Sequence, residues 1–278
     1  MKPGSLQLAG TVLQLDRPLL VGVLNTTPDS FSDGGFWLDC DSALVHALDM
    51  VAAGADIVDI GGESTRPGAE PVCTDEELDR VIPLLLRLRA ESDVPVSIDT
   101  SKPEVMREAV RAGASMINDV NALRSEGALE IAAEFRVPVC LMHMGGDPRT
   151  MQLAPEYGDV VDEVTQFLLG RVAACQAAGI DRSAIILDPG FGFGKNLQHN
   201  IELFQAIPRL CKLGLPLLVG LSRKSMLGQI TGKPANQRMA ASVAAAVLAV
   251  GLGATLVRVH DICETADALK VFAALSSR

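Results

Sequence analysis

The sequence is poor in aromatic residues and in positive charge, and both shortages narrow the range of functions. Only 4% of its 278 residues are Phe, Trp or Tyr, with one Trp and one Tyr. Single-stranded nucleic acids bind by stacking their bases on aromatic rings, so we expect no such partner. With 24 Lys and Arg against 34 Asp and Glu, the formal net charge is −10. A chain this acidic lacks a general nucleic-acid-binding surface, and an anionic ligand would need a local cluster of positive groups.

The chain also lacks paired cysteines, a signal-like start and a convincing membrane span. No CxxC motif and no disulfide spacing is present among Cys40, Cys73, Cys140, Cys175, Cys211 and Cys263. We therefore expect six small apolar core residues in a reducing, cytoplasmic compartment. The first residues contain no apolar segment of signal-peptide length. The uncharged stretch 239–257 is rich in Ala and interrupted by Gly251 and Gly253. We therefore expect a helix followed by a strand here, rather than a membrane span.

A short apolar run followed by a polar turn and a longer amphipathic stretch occurs eight times. Such runs between helical segments are typical of parallel strands that are buried on both faces. The eight runs end at Asn25, Glu63, Asp99, Asp119, His143, Asp188, Ser222 and His260. Eight units without a linker predict a single (β/α)8 TIM barrel domain over residues 1–278, with an open doubly wound sheet as the alternative. Two alternating segments around Ala9 and Gly10 predict an N-terminal β-hairpin that plugs one end of the barrel.

Local signals predict where the first three helices begin. Asp41 is placed to cap the first helix. The pairs Thr74 with Glu77 and Ser101 with Glu104 have the spacing of capping boxes for the second and third helices. The later helices are expected near residues 127–135, 158–178, 199–212, 237–251 and 262–275.

Polar side chains stand at the ends of the predicted strands, which is where barrels bind their ligands. They are Asn25, Glu63, Asp99, Asn118, Asp119, His143, Asp188, Ser222, Arg258 and His260. A single member can be structural, because a buried Asp often only accepts backbone N–H bonds. Packing alone does not need so many polar groups at one mouth, so the ring as a whole predicts a binding site.

Two loops after the first two strands have the composition of lids over a polar ligand. Loop one (residues 25–35) and loop two (residues 61–68) are bounded by Gly, rich in hydroxyls and charged. Phe31 in loop one has no evident packing partner. The segment 190–195 is rich in Gly but fails the spacing of both the P-loop and the dinucleotide motif. We expect its glycines to let the backbone approach a flat ligand, with Phe193 against the ligand face.

A basic rim is expected beside the seventh and eighth strands, where barrels often hold phosphate. Its members are Arg66, Arg223, Lys224, Arg258 and His260. Arg258 lies inside an apolar strand run and must therefore find a partner. The histidine spacing indicates no zinc site, and no Ser–His–Asp nucleophile can be inferred.

Eight segments together resemble, in order, those of the dihydropteroate synthase family of folate biosynthesis. They are NTTPDSFSDGG, DIGGESTRPGA, SIDTSKPEV, MINDV, LMHMGG, LDPGFGFGK, GLSRKSMLG and RVHD. Methyltransferases that use methyltetrahydrofolate share the barrel, but GLSRKS, RVHD and the STRPG loop look like the synthases. Ala241 stands where a Gly is common in the family, and it affects helix packing rather than the site. A pterin-binding paralogue without activity and a methyl-transferring partner of a corrinoid protein are the alternatives.

The resemblance implies a transferase that joins 6-hydroxymethyl-7,8-dihydropterin diphosphate to 4-aminobenzoate and releases diphosphate, with Mg²⁺ as cofactor. An SN1-like route is favoured, and a concerted displacement stays open. The implied pterin site comprises Asp99, Asn118, Asp188 and Lys224, with Met142 and Phe193 as apolar walls. The implied diphosphate residues are Asn25, Thr65, Arg258 and His260, with Asn25 and Asp33 near the metal. The implied aminobenzoate residues are Phe31, Arg66, Pro67 and Ser222. A homodimer through the last helices is also implied.

Overall fold

Eight parallel strands form one sheet that curls into a barrel, as the sequence predicts. The computed structural model describes residues 4–8, 11–26, 36–64, 70–146, 151 and 155–276, without the side chains of 36–39. The strands are β1 Ser5–Leu8, β2 Thr11–Gln14, β3 Leu19–Asn25, β4 Ile57–Gly61, β5 Val96–Asp99, β6 Met116–Asp119, β7 Val139–Met142, β8 Ile185–Asp188, β9 Leu218–Val219 and β10 Leu256–Val259. The barrel strands pair in the order β8-β7-β6-β5-β4-β3-β10-β9. A parallel bridge between Leu187 and Leu217 brings the two edges of this sheet together.

Helices follow the strands and cover the outside of the barrel. They are α1 Phe36–Ala52, α2 Thr74–Glu91, α3 Pro103–Arg111, α4 Ala128–Phe135, α5 Val160–Ala177, α6 Leu197–Gln205, α7 Ile207–Cys211, α8 Ser225–Thr231, α9 Met239–Gly251 and α10 Ile262–Ser276. The helix expected near 199–212 is divided into α6 and α7, and α8 was not expected. The (β/α)8 assignment is confirmed, and the uncharged stretch from 239 is a helix followed by a strand.

The predicted helix caps are wrong at all three positions. α1 begins five residues before Asp41, which pairs with Arg87 on α2 instead. The N-cap of α2 is Cys73 and that of α3 is Lys102, and neither uses a side-chain cap bond. Glu77 is fully buried and binds Lys102, at a site described below. Asp41 and Glu77 therefore bind partners from other elements, although local spacing predicts that both act in helix capping.

The N-terminal hairpin closes the amino end of the barrel. β1 pairs antiparallel with β2, and Leu6 and Leu8 of β1 are fully buried. These two residues form one cluster with inward side chains of the barrel, among them Leu19, Ile57 and Met116. Apolar contact removes this end of the barrel interior from water.

Side chains along each strand alternate between this interior and the helices outside. In β4, Ile57 belongs to the interior cluster and Val58 to the outer core, so Asp59 points inward again. The same alternation turns Asn118 inward and Asp119 outward. Asp119 accepts bonds from the backbone N–H groups of residues 121 and 123 outside the barrel, which is a structural use of a strand-end carboxylate.

β9 is only two residues long, although the sequence predicts a run up to Ser222. The Thr255 hydroxyl accepts a bond of 2.7 Å from the N–H of Leu217 and donates one of 3.1 Å to its carbonyl. A side chain thus takes the N–H of Leu217 just before the strand, while the Leu217 carbonyl also accepts from the backbone N–H groups of Thr255 and Leu256.

The expectation for the cysteines holds only in part. All six are free thiols, and Cys140 and Cys175 are buried. Cys73 and Cys263 are exposed, so the assignment of all six to the core is wrong. No helix within the described ranges is long and apolar enough to cross a membrane.

Candidate active site

The carboxyl ends of β3 to β6 place a row of predicted site residues side by side. Asn25 pairs in register with Gly61, Gly61 with Asp99, and Asp99 with Asn118. Asp99 and Asn118 are buried, whereas Asn25 is half-buried at the rim. Neighbouring parallel strands end at one edge, so three polar side chains from distant parts of the chain meet at this mouth.

Arg258 crosses the barrel interior and joins two carboxylates. Its Nε donates to Asp59 Oδ2 at 2.6 Å, and its Nη2 donates to Asp99 Oδ2 at 2.7 Å. Asp59 also accepts from Asn118 Nδ2 at 3.0 Å. The partner that Arg258 must have is therefore a pair of acids. Asp59 was missed in the sequence, although an acidic residue at an inward position of an apolar strand was an available signal.

Burial is the main influence on the pKa of Asp99. It raises the pKa of Asp99 to about 7, against the opposing effect of the Arg258 guanidinium and with a further contribution from the Asp59 carboxylate. Burial also lowers the pKa of Arg258, but the two carboxylates outweigh it and hold that pKa above its usual value. Asp99 Oδ1 is buried without a hydrogen-bond partner among the described residues. A buried acceptor of this kind is costly unless a ligand donor meets it.

Asp188 and Lys224 form the opposite side of the mouth. Asp188 Oδ1 accepts from the N–H of Gly190 at 2.7 Å. Burial raises the pKa of Asp188, and the Lys224 ammonium is the main opposing influence. Burial likewise lowers the pKa of Lys224 to about 8, with Asp188 opposing. Lys224 Nζ donates to the carbonyl of Phe191 and lies 4.5 Å from the ring centroid of Phe193.

Phe193 and Met142 lie together in one apolar cluster. Phe193 packs against a buried cluster of four residues, which are Val120, Met142, Met144 and Met151. Flexible thioethers next to an aromatic ring form a surface that adapts to a flat ligand.

The Gly-rich segment 190–195 folds around a lysine, which sequence reasoning did not foresee. Lys195 Nζ lies 2.9 Å from His143 Nδ1 and donates to the carbonyls of Gly190 and Phe193, both at 2.9 Å. Gly190 has a φ of +68°, and a Cβ there would lie 1.9 Å from the His143 carbonyl oxygen. The glycine at this position lets the loop close on its own neighbours, and Lys195 holds the loop that carries Phe193.

The pKa values of Lys195 and His143 are both below their usual values. Burial lowers the pKa of Lys195 to about 7, with Asp188 opposing. Burial also lowers the pKa of His143 to about 3, and the Lys195 ammonium acts in the same direction. His143 is therefore neutral at neutral pH and can accept from Lys195 through Nδ1.

The expected basic rim is divided. Ser222 Oγ and His260 Nδ1 are 2.9 Å apart, so these two predicted residues do lie together. Arg223 instead pairs with Asp261, whose side chain is 9% exposed. Arg258 is drawn inward by its two acids. Five predicted site residues lie outside the described residues: Phe31, Asp33, Thr65, Arg66 and Pro67.

The base of loop two is held by an ionic cluster. Glu63 accepts from the N–H of Val72 at 3.0 Å and from Lys102 Nζ at 2.6 Å. Lys102 also pairs with the fully buried Glu77. Glu63 thus serves to anchor loop two on α2 and α3, which is a structural role for another member of the predicted polar ring.

A parallel barrel with buried acids, an amide and a lysine at the carboxyl ends of its strands has the architecture of a barrel enzyme with a small-molecule site. A family described as pterin binding enzymes matches residues 21–260 of the chain. The dihydropteroate synthase of Escherichia coli (strain K12) is 51% identical over 268 residues, covering 96% of this chain and 95% of that protein.

Two solved structures extend this similarity to three dimensions. The Xanthomonas albilineans dihydropteroate synthase with 4-aminobenzoic acid has a TM-score of 0.95 and 53% identity, covering 100% of both chains. The Yersinia pestis dihydropteroate synthase in a sulfonamide drug complex has a TM-score of 0.94 and 50% identity, covering 99% of this chain and 100% of the other. The chain belongs to the dihydropteroate synthase family of pterin binding enzymes, and it is a transferase.

Proposed function

We propose that the chain condenses 6-hydroxymethyl-7,8-dihydropterin diphosphate with 4-aminobenzoate to give 7,8-dihydropteroate and diphosphate, in folate biosynthesis. The observation that carries the proposal is the set of buried acceptors at the mouth, above all the unpartnered Asp99 Oδ1 beside Arg258. A dihydropterin offers adjacent N–H donors along its aminopyrimidinone edge, and a carboxylate that faces such donors forms charge-assisted bonds.

The pterin is assigned to the interior of the mouth. Asp99, Asn118 and Asp188 take the donor edge, and Lys224 meets the acceptor side of the ring. Met142 and Phe193 cover its faces. The depth of these groups supports the assignment, because a buried set of mixed donors and acceptors rejects heterocycles that leave any of them unpaired.

The diphosphate is assigned to the rim, against Asn25, Thr65, Arg258 and His260. Mg²⁺ usually takes one or two protein oxygens and completes its shell with phosphate oxygens and water. No group of three acidic, histidine or cysteine side chains suited to a metal occurs in the part of the chain that is described. The half-buried Asn25 fits a site of that open kind, with Asp33 as its second protein ligand. When bound, Mg²⁺ would neutralise charge that develops on the leaving diphosphate.

The aminobenzoate is assigned to Phe31, Arg66, Pro67 and Ser222, of which only Ser222 is among the described residues. Ser222 is buried and lies at the His260 side of the rim. Its hydroxyl, or a backbone N–H nearby, is the donor for the aminobenzoate carboxylate.

We propose an SN1-like substitution. The electron-rich dihydropterin stabilises positive charge at its exocyclic carbon as the C–O bond to diphosphate breaks. Asp99 and Asp188 favour that cation electrostatically when they are ionised. The amine of aminobenzoate then adds to the carbon and loses a proton to solvent, so no covalent nucleophile on the protein is required.

The decisive experiment is an assay of dihydropteroate formation from the two substrates, with and without Mg²⁺. Formation of dihydropteroate and diphosphate in equal amounts supports the proposal. Tight pterin binding without turnover would indicate a silent paralogue, and methyl transfer from methyltetrahydrofolate would indicate the methyltransferase.

The affinity for the dihydropterin is expected to be highest between the pKa of Asp99, about 7, and that of Lys224, about 8. Below pH 7 Asp99 gains a proton and loses its capacity as a double acceptor, which weakens binding by up to about tenfold per pH unit. Above pH 8 Lys224 loses its charge. Calorimetry across neutral pH checks the profile. An acid limb that is unchanged in Asp99→Asn would contradict the assignment to Asp99.

Aminobenzoate is expected to bind more tightly after the pterin than before it. Its amine must lie within bonding distance of the pterin carbon, so the bound pterin forms one wall of the second site. The gain is expected to be at least about fivefold, which is the lower end of ordinary coupling between ligands. Titrations of free protein and of protein saturated with pterin, diphosphate and Mg²⁺ give the comparison, and equal affinities would place the second site elsewhere.

Sulfonamides are expected to compete with aminobenzoate, because both present an aniline amine opposite an acidic or polar group on the ring. The sulfonamide complex of the Yersinia pestis enzyme supports this. Inhibition is measured at fixed dihydropterin diphosphate and increasing aminobenzoate. Inhibition that does not weaken with aminobenzoate would speak against a shared site.

We also propose that two copies associate through α9 and α10. These helices pack on each other and expose Leu248, Val271 and Leu275. Sedimentation at micromolar concentration should give a dimer mass, and Leu248→Glu should give a monomer. The matched change Val45→Glu, at an equally exposed position on α1, should leave the mass unchanged.

A further inference from the structure

Asp59 is buried below the mouth and is not among the groups assigned to any substrate. It is 1% exposed and sits between the two inward residues Asn118 and Arg258. Both bonds are made by the same oxygen, Asp59 Oδ2, at 3.0 and 2.6 Å. The residue therefore touches one group assigned to the pterin and one assigned to the diphosphate.

The contact with Asp59 decides which way the amide of Asn118 points. An amide has an N–H donor end and a carbonyl acceptor end, and either end can face a given partner. A carboxylate that faces a guanidinium can only accept, so the NH₂ of Asn118 must lie on Asp59. The acceptor Oδ1 is then left on the side away from Asp59. On the neighbouring strand, the unpartnered Asp99 Oδ1 supplies a second acceptor.

We propose that Asp59 is a positioning residue that fixes the hydrogen-bonding direction of Asn118 and so makes this point of the site select a ligand group that donates. The inference rests on the proposed pterin function. A ring that carries an amino group at this point is accepted, and one that carries a carbonyl there meets an acceptor and is rejected.

The test compares two ligands, a pterin with its 2-amino group and the pteridine that has a 2-oxo group in its place. In Asp59→Leu no acceptor remains beside Asn118, so its amide is free to reverse. The preference of the protein for the amino ligand is expected to fall by about tenfold or more, because a reversed Asn118 can donate to the oxo ligand, whose carbonyl meets an acceptor in the original protein.

Two further variants separate direction from charge. Asp59→Asn removes the charge but keeps an acceptor oxygen where Arg258 and Asn118 both donate, so the preference should stay within about threefold of the original, and a loss as large as in Asp59→Leu would overturn the proposal. The control is Asp56→Asn at the other end of β4, where Asp56 pairs with the exposed Arg17. This control should leave the preference unchanged.

The outcomes are distinct. A preference that survives in Asp59→Leu, or an equal loss for both ligands, overturns the role of Asp59 and leaves the proposed function standing. If the original protein binds neither pteridine, the proposed function fails and the inference fails with it. If Asp59→Leu does not fold, NMR of the original protein decides. The side-chain amide protons of Asn118 should then exchange slowly without ligand and stay on Asp59 when the pterin binds, and rapid exchange in the free protein overturns the proposal.

Discussion

Replacing Arg258 with Met is expected to lower the free energy of unfolding by about 3–5 kcal/mol, the usual cost of leaving buried charges without their partner. Arg258 is the group that joins Asp59 and Asp99 inside the barrel, at 2.6 and 2.7 Å. Without it, two carboxylates remain in a region that water reaches poorly. Urea denaturation at neutral pH measures the difference.

The loss caused by Arg258→Met should become smaller in acid. A carboxyl whose pKa is raised in the folded state favours folding while it is protonated, and that advantage is lost as the pH rises through the folded pKa. This value is about 7 for Asp99, and removing Arg258 removes an influence that lowers it. At a pH below this value, Asp99 is protonated in both the original protein and Arg258→Met. Its charge then no longer contributes to the difference between their free energies of unfolding.

Arg17→Met is the matched control for Arg258→Met. Arg17 also pairs with an aspartate, Asp56, but its side chain is 61% exposed. An exposed pair of this kind contributes at most about 1 kcal/mol. A loss in Arg258→Met that is no larger than in Arg17→Met, or that grows in acid, would show that the buried pair is not what stabilises the interior.

Lys224→Ala is expected to weaken dihydropterin binding by about ten- to hundredfold, since a hydrogen bond to a charged group contributes on the order of 1.5–3 kcal/mol. Lys224 Nζ lies between the Phe191 carbonyl and the Phe193 ring, and Asp188 is the acid that most favours its charge. The change therefore removes the proposed ligand donor and also the contacts of Lys224 with the segment that carries Phe193.

Calorimetry with the dihydropterin gives the loss in Lys224→Ala directly. Lys270→Ala is the control, because Lys270 is an exposed lysine that pairs with Asp267 along α10. Affinity equal to that of the original protein in Lys224→Ala would remove this residue from the pterin site.

The barrel was predictable because its signal is repeated and local. Eight apolar runs of strand length, each followed by a helical stretch, leave few arrangements that bury every strand on both faces. The hairpin followed from two alternating segments, and the structure shows what it does: Leu6 and Leu8 fill the amino end of the barrel. Motif resemblance added the family, and the matched range 21–260 confirms it.

Predictions from local sequence spacing were wrong for charged side chains that can bind more than one partner. Glu77 has the spacing of a capping residue, yet it is buried on Lys102, which comes from another unit of the barrel. Lys195 stands in a Gly-rich segment that suggests ligand contact, yet its ammonium is used to hold that segment together. In both cases an unpaired charge inside the protein would be costly, so the charged group binds a partner there.

The sequence by itself determined the order of strands and helices, the end of the barrel at which polar groups collect, and the residue types available there. Only the tertiary structure decided how these groups are paired. Arg258 is 199 positions from Asp59 and 159 from Asp99, and no spacing rule connects them. The pattern of apolar residues along a single strand is enough to indicate which of its faces are buried. The pairing of buried charges depends on which strands become neighbours when the barrel closes, and that step also fixed the direction of the Asn118 amide through Asp59.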